Sequence, residues 1–212
     1  MMQRRLAMAL LAAAGSLALM TGCLRRAEVR HYALRPLAAP MVPSPAAVPS
    51  DGALPAAPPP AASVPAALGL SPLRLPLHLR QTAMVQRADA HRLVYHDNDL
   101  WADSPEEAIG EVLRENLVRL GAASAVWRHP WRAGSAPPRR LAIEITAFEL
   151  CGPQEAILEA RWELRDDRDA VLHRAGAAYR EPAADGLGTL AEAQSRALLR
   201  LSQDIAAALS AP

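Results

Sequence analysis

The sequence predicts an α/β or α+β sandwich, built on a mixed, largely antiparallel sheet with two main helices. Three observations carry this. Two stretches, near 105–120 and 190–208, repeat apolar residues at helical spacing. Short stretches before, between and after them alternate apolar and polar side chains, as half-buried strands do. Strands interleaved with two helices in the order strand, linker, three strands, helix, four strands, helix fit such a sandwich.

The chain opens with export signals. Arg4 and Arg5 form a short positive region, and Leu6 to Met20 follows without a charge. That run is shorter than the 18 or so apolar residues of a confident membrane span, and it has the flanks of a signal-peptide core. It ends in Met20-Thr21-Gly22-Cys23, small residues before a cysteine, with Met20 where lipoprotein signals usually carry Leu. Residues 1–22 are therefore expected to be a lipoprotein signal peptide, removed so that Cys23 becomes the acylated N-terminus. Each buried CH₂ contributes about 0.8 kcal/mol, so two or more acyl chains hold firmly. Leu24 replaces the Asp that typically retains such proteins in the inner membrane, which directs the expectation to the periplasmic face of the outer membrane.

Residues 23–35 are expected to hold the lipidated N-terminus and a first strand, since Arg30-His31-Tyr32-Ala33-Leu34-Arg35 alternates. Ten prolines then fall between Pro36 and Pro65, most of the rest being Ala. Such a stretch has few backbone donors and few large apolar groups, so residues 36–70 are expected to form an extended linker or loop. The folded part, 71–212, is expected to begin near Ser71. Leu73-Arg74-Leu75-Pro76-Leu77 alternates and predicts an edge strand. Ala83–Arg87 and Arg92–His96 predict a hairpin.

Punctuation predicts the first helix sharply. Ser104 is an N-cap, Pro105 stands at the first position, Glu107 completes a capping box, and Gly121 ends the helix. Ile109, Val112, Leu113, Leu117 and Leu120 make its apolar stripe. Ser124–Arg128 predicts a short strand. Leu141 to Ala147, Leu158 to Leu164 and Val171 to Tyr179 predict a three-stranded meander, with turns at Cys151-Gly152-Pro153 and Asp166–Asp169. The last helix is predicted from Thr189 and Glu192 as a capping box, with Leu190, Ala193, Ala197, Leu201, Ile205 and Ala208 buried.

Removing the signal leaves roughly 190 residues, enough for one domain with a core. The 23 basic residues, all arginine, nearly balance 22 acidic ones, which leaves no electrostatic footprint for nucleic acid. Cys151 is the single cysteine besides Cys23. It stands beside Gly152-Pro153 and reads as a small residue at a turn. No P-loop, GxGxxG, HExxH or GxSxG pattern occurs, so neither enzyme nor cofactor is expected. His91, His96, Asp97 and Asp99 gather near one hairpin, but His96 and Asp97 point to opposite faces, so a polar turn is expected there and no metal. Of four tryptophans, Trp162 reads as core. Trp101 reads as packing the first helix onto the sheet, Trp131 in its loop reads as either a plug in the core or an exposed contact, and these two are the candidate contacts for a partner or lipid.

These residues, in this order, resemble the auxiliary lipoproteins of ABC-type transport systems, the PqiC-like group (paraquat-inducible protein C). The resemblance rests on Tyr32-Ala33-Leu34 soon after Cys23, on Leu75-Pro76, and on Met84 to His96 leading to Trp101. It continues with Asn116-Leu117, Pro130-Trp131, Ala160-Arg161-Trp162 and the helix holding Gln194-Ser195-Arg196-Ala197. It spans roughly residues 30 to 209, although the proline-rich stretch is longer than the family's loop. The resemblance implies a three-layer α/β/α domain in which Tyr32 and Leu34 dock into the sheet. It also implies a non-enzymatic subunit on the outer membrane that meets an MCE-domain protein of the inner membrane and periplasm. Together these would move lipids between membranes, and a ring-like homo-oligomer would suit that partner. A different expectation is a periplasmic lipid- or solute-binding lipoprotein with cargo in its own fold, which predicts an apolar cavity.

Overall fold

The computed structural model describes residues 28–39, 66–132 and 134–210. The expected signal peptide, Cys23 and most of the proline-rich stretch lie outside these residues. Eight strands and two long helices follow one another: β1 (Arg30–Tyr32), β2 (Leu68–Leu70), β3 (Ala83–Arg87), β4 (Leu93–Trp101), α1 (Pro105–Arg119), β5 (Val126–Arg128), β6 (Arg139–Cys151), β7 (Glu155–Arg165), β8 (Val171–Pro182) and α2 (Leu187–Ser210). The class is α/β with a mixed sheet and two helices, as the sequence predicts.

Long β6 organises the sheet. Its one edge pairs antiparallel with β7, which pairs antiparallel with β8. Its other edge is shared along its length. The start of β6 takes β2 in parallel, and β2 takes β5. The end of β6 takes β3 in parallel, and β3 leads to β4 and then β1. Between them the chain touches β6 at one bridge, Arg74 with Glu144. The expected edge strand at 73–77 is reduced to that bridge. Pro72 and Pro76 bring no backbone donor, and Leu77–Leu79 winds into a 3-10 turn instead.

The meander shows why alternation predicted it. Leu141, Ile143, Ile145, Leu158, Ala160, Trp162 and Leu164 are buried on one face. Across the sheet, Glu144, Glu159, Arg161, Arg174, Gly176 and Ala178 are exposed. A bulge between Ile145 and Ala147 shifts the phase by one residue, so that Phe148 and Leu150 face inward after it. The helices lie side by side on the apolar face, α2 across β6 to β8 and α1 beside β5. Of the three layers that the resemblance implies, the described residues therefore supply two.

Helix α1 starts as predicted, with Ser104 Oγ accepting from Glu107 N at 3.3 Å, and Gly121 ends it with φ 68°. The capping box is only half made, because the Glu107 carboxylate takes Arg128 at 2.5 Å instead of turning back. Helix α2 begins at Leu187, two residues before the expected cap. Thr189 lies inside its first turn, where its Oγ accepts from Asp185 N at 3.2 Å.

The N-terminal strand docks. Arg30 and the Tyr32 hydroxyl both donate to Asp99, each at 3.0 Å, and Tyr32 O accepts from Ala102 N. Burial, and next the bond to Asp99, push the Tyr32 phenol above its ordinary pKa. The chain then crosses to the helices. Arg35 N donates to Ser195 Oγ at 3.1 Å, and Leu37 N and Ala38 N both donate to Asn116 Oδ1 at 3.1 Å. Residues 36–38, expected as linker, are thus held against α1. At the far end of the same stretch, Leu68–Leu70 is a fully buried strand, so the fold begins before Ser71.

Candidate docking surface

The exposed face of the sheet, opposite the helices, carries the surface features that packing leaves unexplained. A groove of ≈ 930 Å³ runs along β6 to β8, walled by Ser71–Arg74 on one side and Asp169 on the other. Its floor carries Glu144 from β6, Arg161, Glu163 and Arg165 from β7, and Arg174 from β8. Glu163 is gripped by Arg165 at 2.5 Å and Arg174 at 2.7 Å. The Arg165 hydrogen bond holds its carboxyl below the usual glutamate range, against an opposing effect of burial, and Arg174 adds to it. Glu163 therefore stays ionised and offsets charge on both arginines. Charged walls of this kind suit water and polar groups, and an acyl chain would have to desolvate them.

The space between helices and sheet is filled. Leu113, Leu117, Leu141, Ile145, Leu158, Leu198 and Leu201 are each 0 % exposed. A carrier with cargo inside its fold predicts an apolar cavity there, and this packing counts against it.

At the end of the sheet where β2 and β5 pair, an aromatic corner stands on the same exposed face. Trp127 lies opposite Gly69 in the β2–β5 ladder and is 51 % exposed. Trp131 folds back over Gly69, and its Nε1–H donates to Trp127 O at 3.1 Å. The His129 ring meets it edge-on, with centroids 5.2 Å apart. Gly69 is required there: a Cβ would come within 2.8 Å of Trp131 Cζ2 and 3.2 Å of Pro137 Cγ. Gly69→Val is expected to lift the indole off the sheet and cost about 1–3 kcal/mol. A red-shifted tryptophan emission with a lowered urea midpoint would register this, and unchanged emission would refute it.

The two tryptophans expected as contacts thus part ways. Trp131 is half-buried beside a surface indole. Trp101 is 5 % exposed, and its ring packs on Phe148 with centroids 5.8 Å apart. Its apolar area is used inside the core, so it is corrected from contact residue to packing residue. Trp127 is the surface indole that the sequence reading passed over. The available signal was its place in a three-residue strand with a Pro-Trp loop immediately after it.

Elsewhere polar residues are occupied structurally. Glu149, 1 % exposed on its side chain, pairs with Arg87 at 2.5 Å and faces His78 at 3.5 Å. Of the cluster near the β3–β4 hairpin, His96 bonds Gln86 and Asp99 holds β1. No group of three or more His, Cys, Asp or Glu among the described residues is placed to hold a metal ion. Cys151 is a free, half-buried thiol at the end of β6. No described helix is long and apolar enough to cross a membrane.

A family model for the ABC-type transport auxiliary lipoprotein component matches residues 51–206. The chain belongs to that family. Two solved structures share its fold. One is a crystal structure of an uncharacterized protein, 15% identical, with TM-score 0.64, covering 86% of this chain and 99% of its own. The other is XCC0632 from Xanthomonas campestris, of the family DUF330, 16% identical, with TM-score 0.65, covering 84% of this chain and 93% of its own. No curated protein matches the sequence. For an auxiliary lipoprotein, a filled core with open charged and aromatic surface is a coherent arrangement: the surface, not an interior pocket, is what is left to make contacts.

Proposed function

We propose that this protein is an outer-membrane-anchored lipoprotein subunit of an MCE/ABC-type intermembrane lipid transport system, docking the periplasmic transporter to the outer membrane. The observation that carries the reading is the auxiliary-lipoprotein family match over residues 51–206, joined to the lipoprotein signal ending at Cys23. The mechanism is tethering. Acyl chains on Cys23 fix one end in the bilayer, and the folded domain binds an MCE-domain protein anchored in the inner membrane. Catalysis has no part in this, and the filled core keeps cargo out of the domain itself.

The first test fractionates cells that make the wild type or Cys23→Ala. Wild type is expected in the outer-membrane pellet and the variant almost entirely in the soluble periplasmic fraction, because losing several acyl chains removes about 0.8 kcal/mol per CH₂. Equal retention of both would overturn the anchor. A crosslinking pull-down of the lipidated protein from its own envelope is then expected to recover the MCE-domain protein, with less recovered for Cys23→Ala. Recovery of bound lipid with no protein partner would replace docking by the carrier reading.

A further inference from the structure

We propose that the corner formed by Trp127, Trp131 and Arg132 is where this domain meets a protein partner, and that the partner presents an acidic patch to it. The inference rests on the docking reading and adds the place and the chemistry of the contact.

The corner is built ahead of binding. Trp131 sits on Gly69 and holds the Trp127 carbonyl, which fixes the backbone under a half-exposed indole. A rigid indole loses little conformational entropy when covered, and Trp and Arg are the residues that most often dominate binding energy. Among the described residues strand β5 pairs only with β2, so no described strand covers its other edge.

The charge at the corner is one-sided. From Leu120 to Ile143 the chain has four arginines and no acidic residue. Arg128 is paired with Glu107, and Arg140 with Asp169. Arg132 and Arg139 are exposed, and neither forms an ion pair among the described residues. Arg139 lies on the same side of β6 as buried Leu141 and so belongs to the other face. That leaves Arg132, next to Trp131, as the uncompensated cation of the corner, and it attracts an acidic surface and repels a basic one.

Trp and Arg also settle at lipid headgroups, so position decides between bilayer and protein. Strands β2 and β3 share one edge of β6, and their pairings stand apart along it, β2 ending at Leu141 and β3 meeting Leu150, about 30 Å at about 3.3 Å per residue. The anchor enters at β1. Glu28 is only five residues after Cys23, a reach of at most about 17 Å. Strand β1 runs parallel to β4 and hence opposite to β6, so the tether leaves toward the end of β6, whereas β2 and β5 lie at its start. The tryptophan corner therefore lies at the opposite end of this edge from the tether, away from the bilayer that holds it.

The test uses the full-length lipidated protein in its own envelope, with the photoreactive residue p-benzoylphenylalanine in place of Trp127 or, as control, of Tyr95. Tyr95 is 41 % exposed on β4, next to the anchored edge. Illumination is expected to join position 127, and not 95, to the transporter protein, through a peptide rich in Asp and Glu. Adding Arg132→Glu is expected to cut the yield at least about fivefold, as is roughly 0.5 M NaCl. An adduct with phospholipid, an adduct between two copies, equal yields at 95 and 127, or indifference to Arg132→Glu would each overturn the proposal. If the wild-type pull-down recovers the transporter but position 127 gives no adduct, the corner is wrong and docking stands. If the pull-down fails while position 127 joins another protein through an acidic peptide, docking is wrong and the corner stands.

Discussion

Asn116→Ala is expected to lower the free energy of unfolding by about 2–4 kcal/mol, a large share of the stability of a domain this size. Asn116 is 0 % exposed, and its Oδ1 is the acceptor for both Leu37 N and Ala38 N. Alanine leaves two amides without a partner where water reaches poorly, at about 1–3 kcal/mol for each one left buried. Some water will enter, which keeps the total below the sum. Urea unfolding measures the loss. Hydrogen exchange at Leu37 and Ala38 should accelerate well before the meander does. A loss under about 1 kcal/mol, with both amides still protected, would mean that residues 36–38 are held by something other than Asn116.

Leu158→Ala is expected to cost more, about 3–5 kcal/mol. Leu158 is 0 % exposed at the centre of β7, opposite Phe148 of β6 and Tyr179 of β8 and beneath α2. Truncation removes contacts on three strands and a helix, and backbones fixed by ladder bonds on both sides cannot close the gap. Leu77→Ala is the matched control. Leu77 is 81 % exposed and should change stability by no more than about 0.5 kcal/mol. The pair also tests whether the interior is solid. If Leu158→Ala cost below about 1.5 kcal/mol, the space under α2 would be loosely filled, and a cargo-holding interior would have to be reconsidered.

Much of this fold was legible where one local rule acted alone. Helix α1 had a cap, a proline, a stripe and a terminal glycine that agreed, and it spans Pro105–Arg119. The meander had alternation on strands of eleven to thirteen residues, long enough for the period to be unmistakable. Legibility failed where tertiary partners decided. Leu68-Gly69-Leu70 is too short to show a period, and its glycine looks like a breaker until Trp131 is seen lying on it. Leu73 to Leu77 had the right alternation, yet its prolines left one bridge. Glu107 had the right spacing for a capping box, but Arg128 offered a stronger partner than a backbone amide. Alternation also cannot say which face of a sheet stays open. Trp101 and Trp127 were therefore indistinguishable in kind, though one lies inside and the other outside. Asn116 and Ser195 carried the family resemblance without a stated reason. The reason is now visible in the backbone amides of residues 35–38 that they receive.

The entry of the chain into the sheet has a mechanical side. Strand β1 runs parallel to β4, with Arg30 to Tyr32 beside Asp99 to Trp101. Tension along the tether therefore shears that short ladder lengthwise rather than peeling it open bond by bond. Whatever passes the ladder and the Asp99 clasp is handed to Ser195 on α2 and then to Asn116 on α1, so the pull ends on two helices braced against each other. The long meander lies outside this path. A domain stretched between a bilayer and a moving partner would give first at its own N-terminal hitch, lengthening the leash by a few residues while the folded body kept its shape.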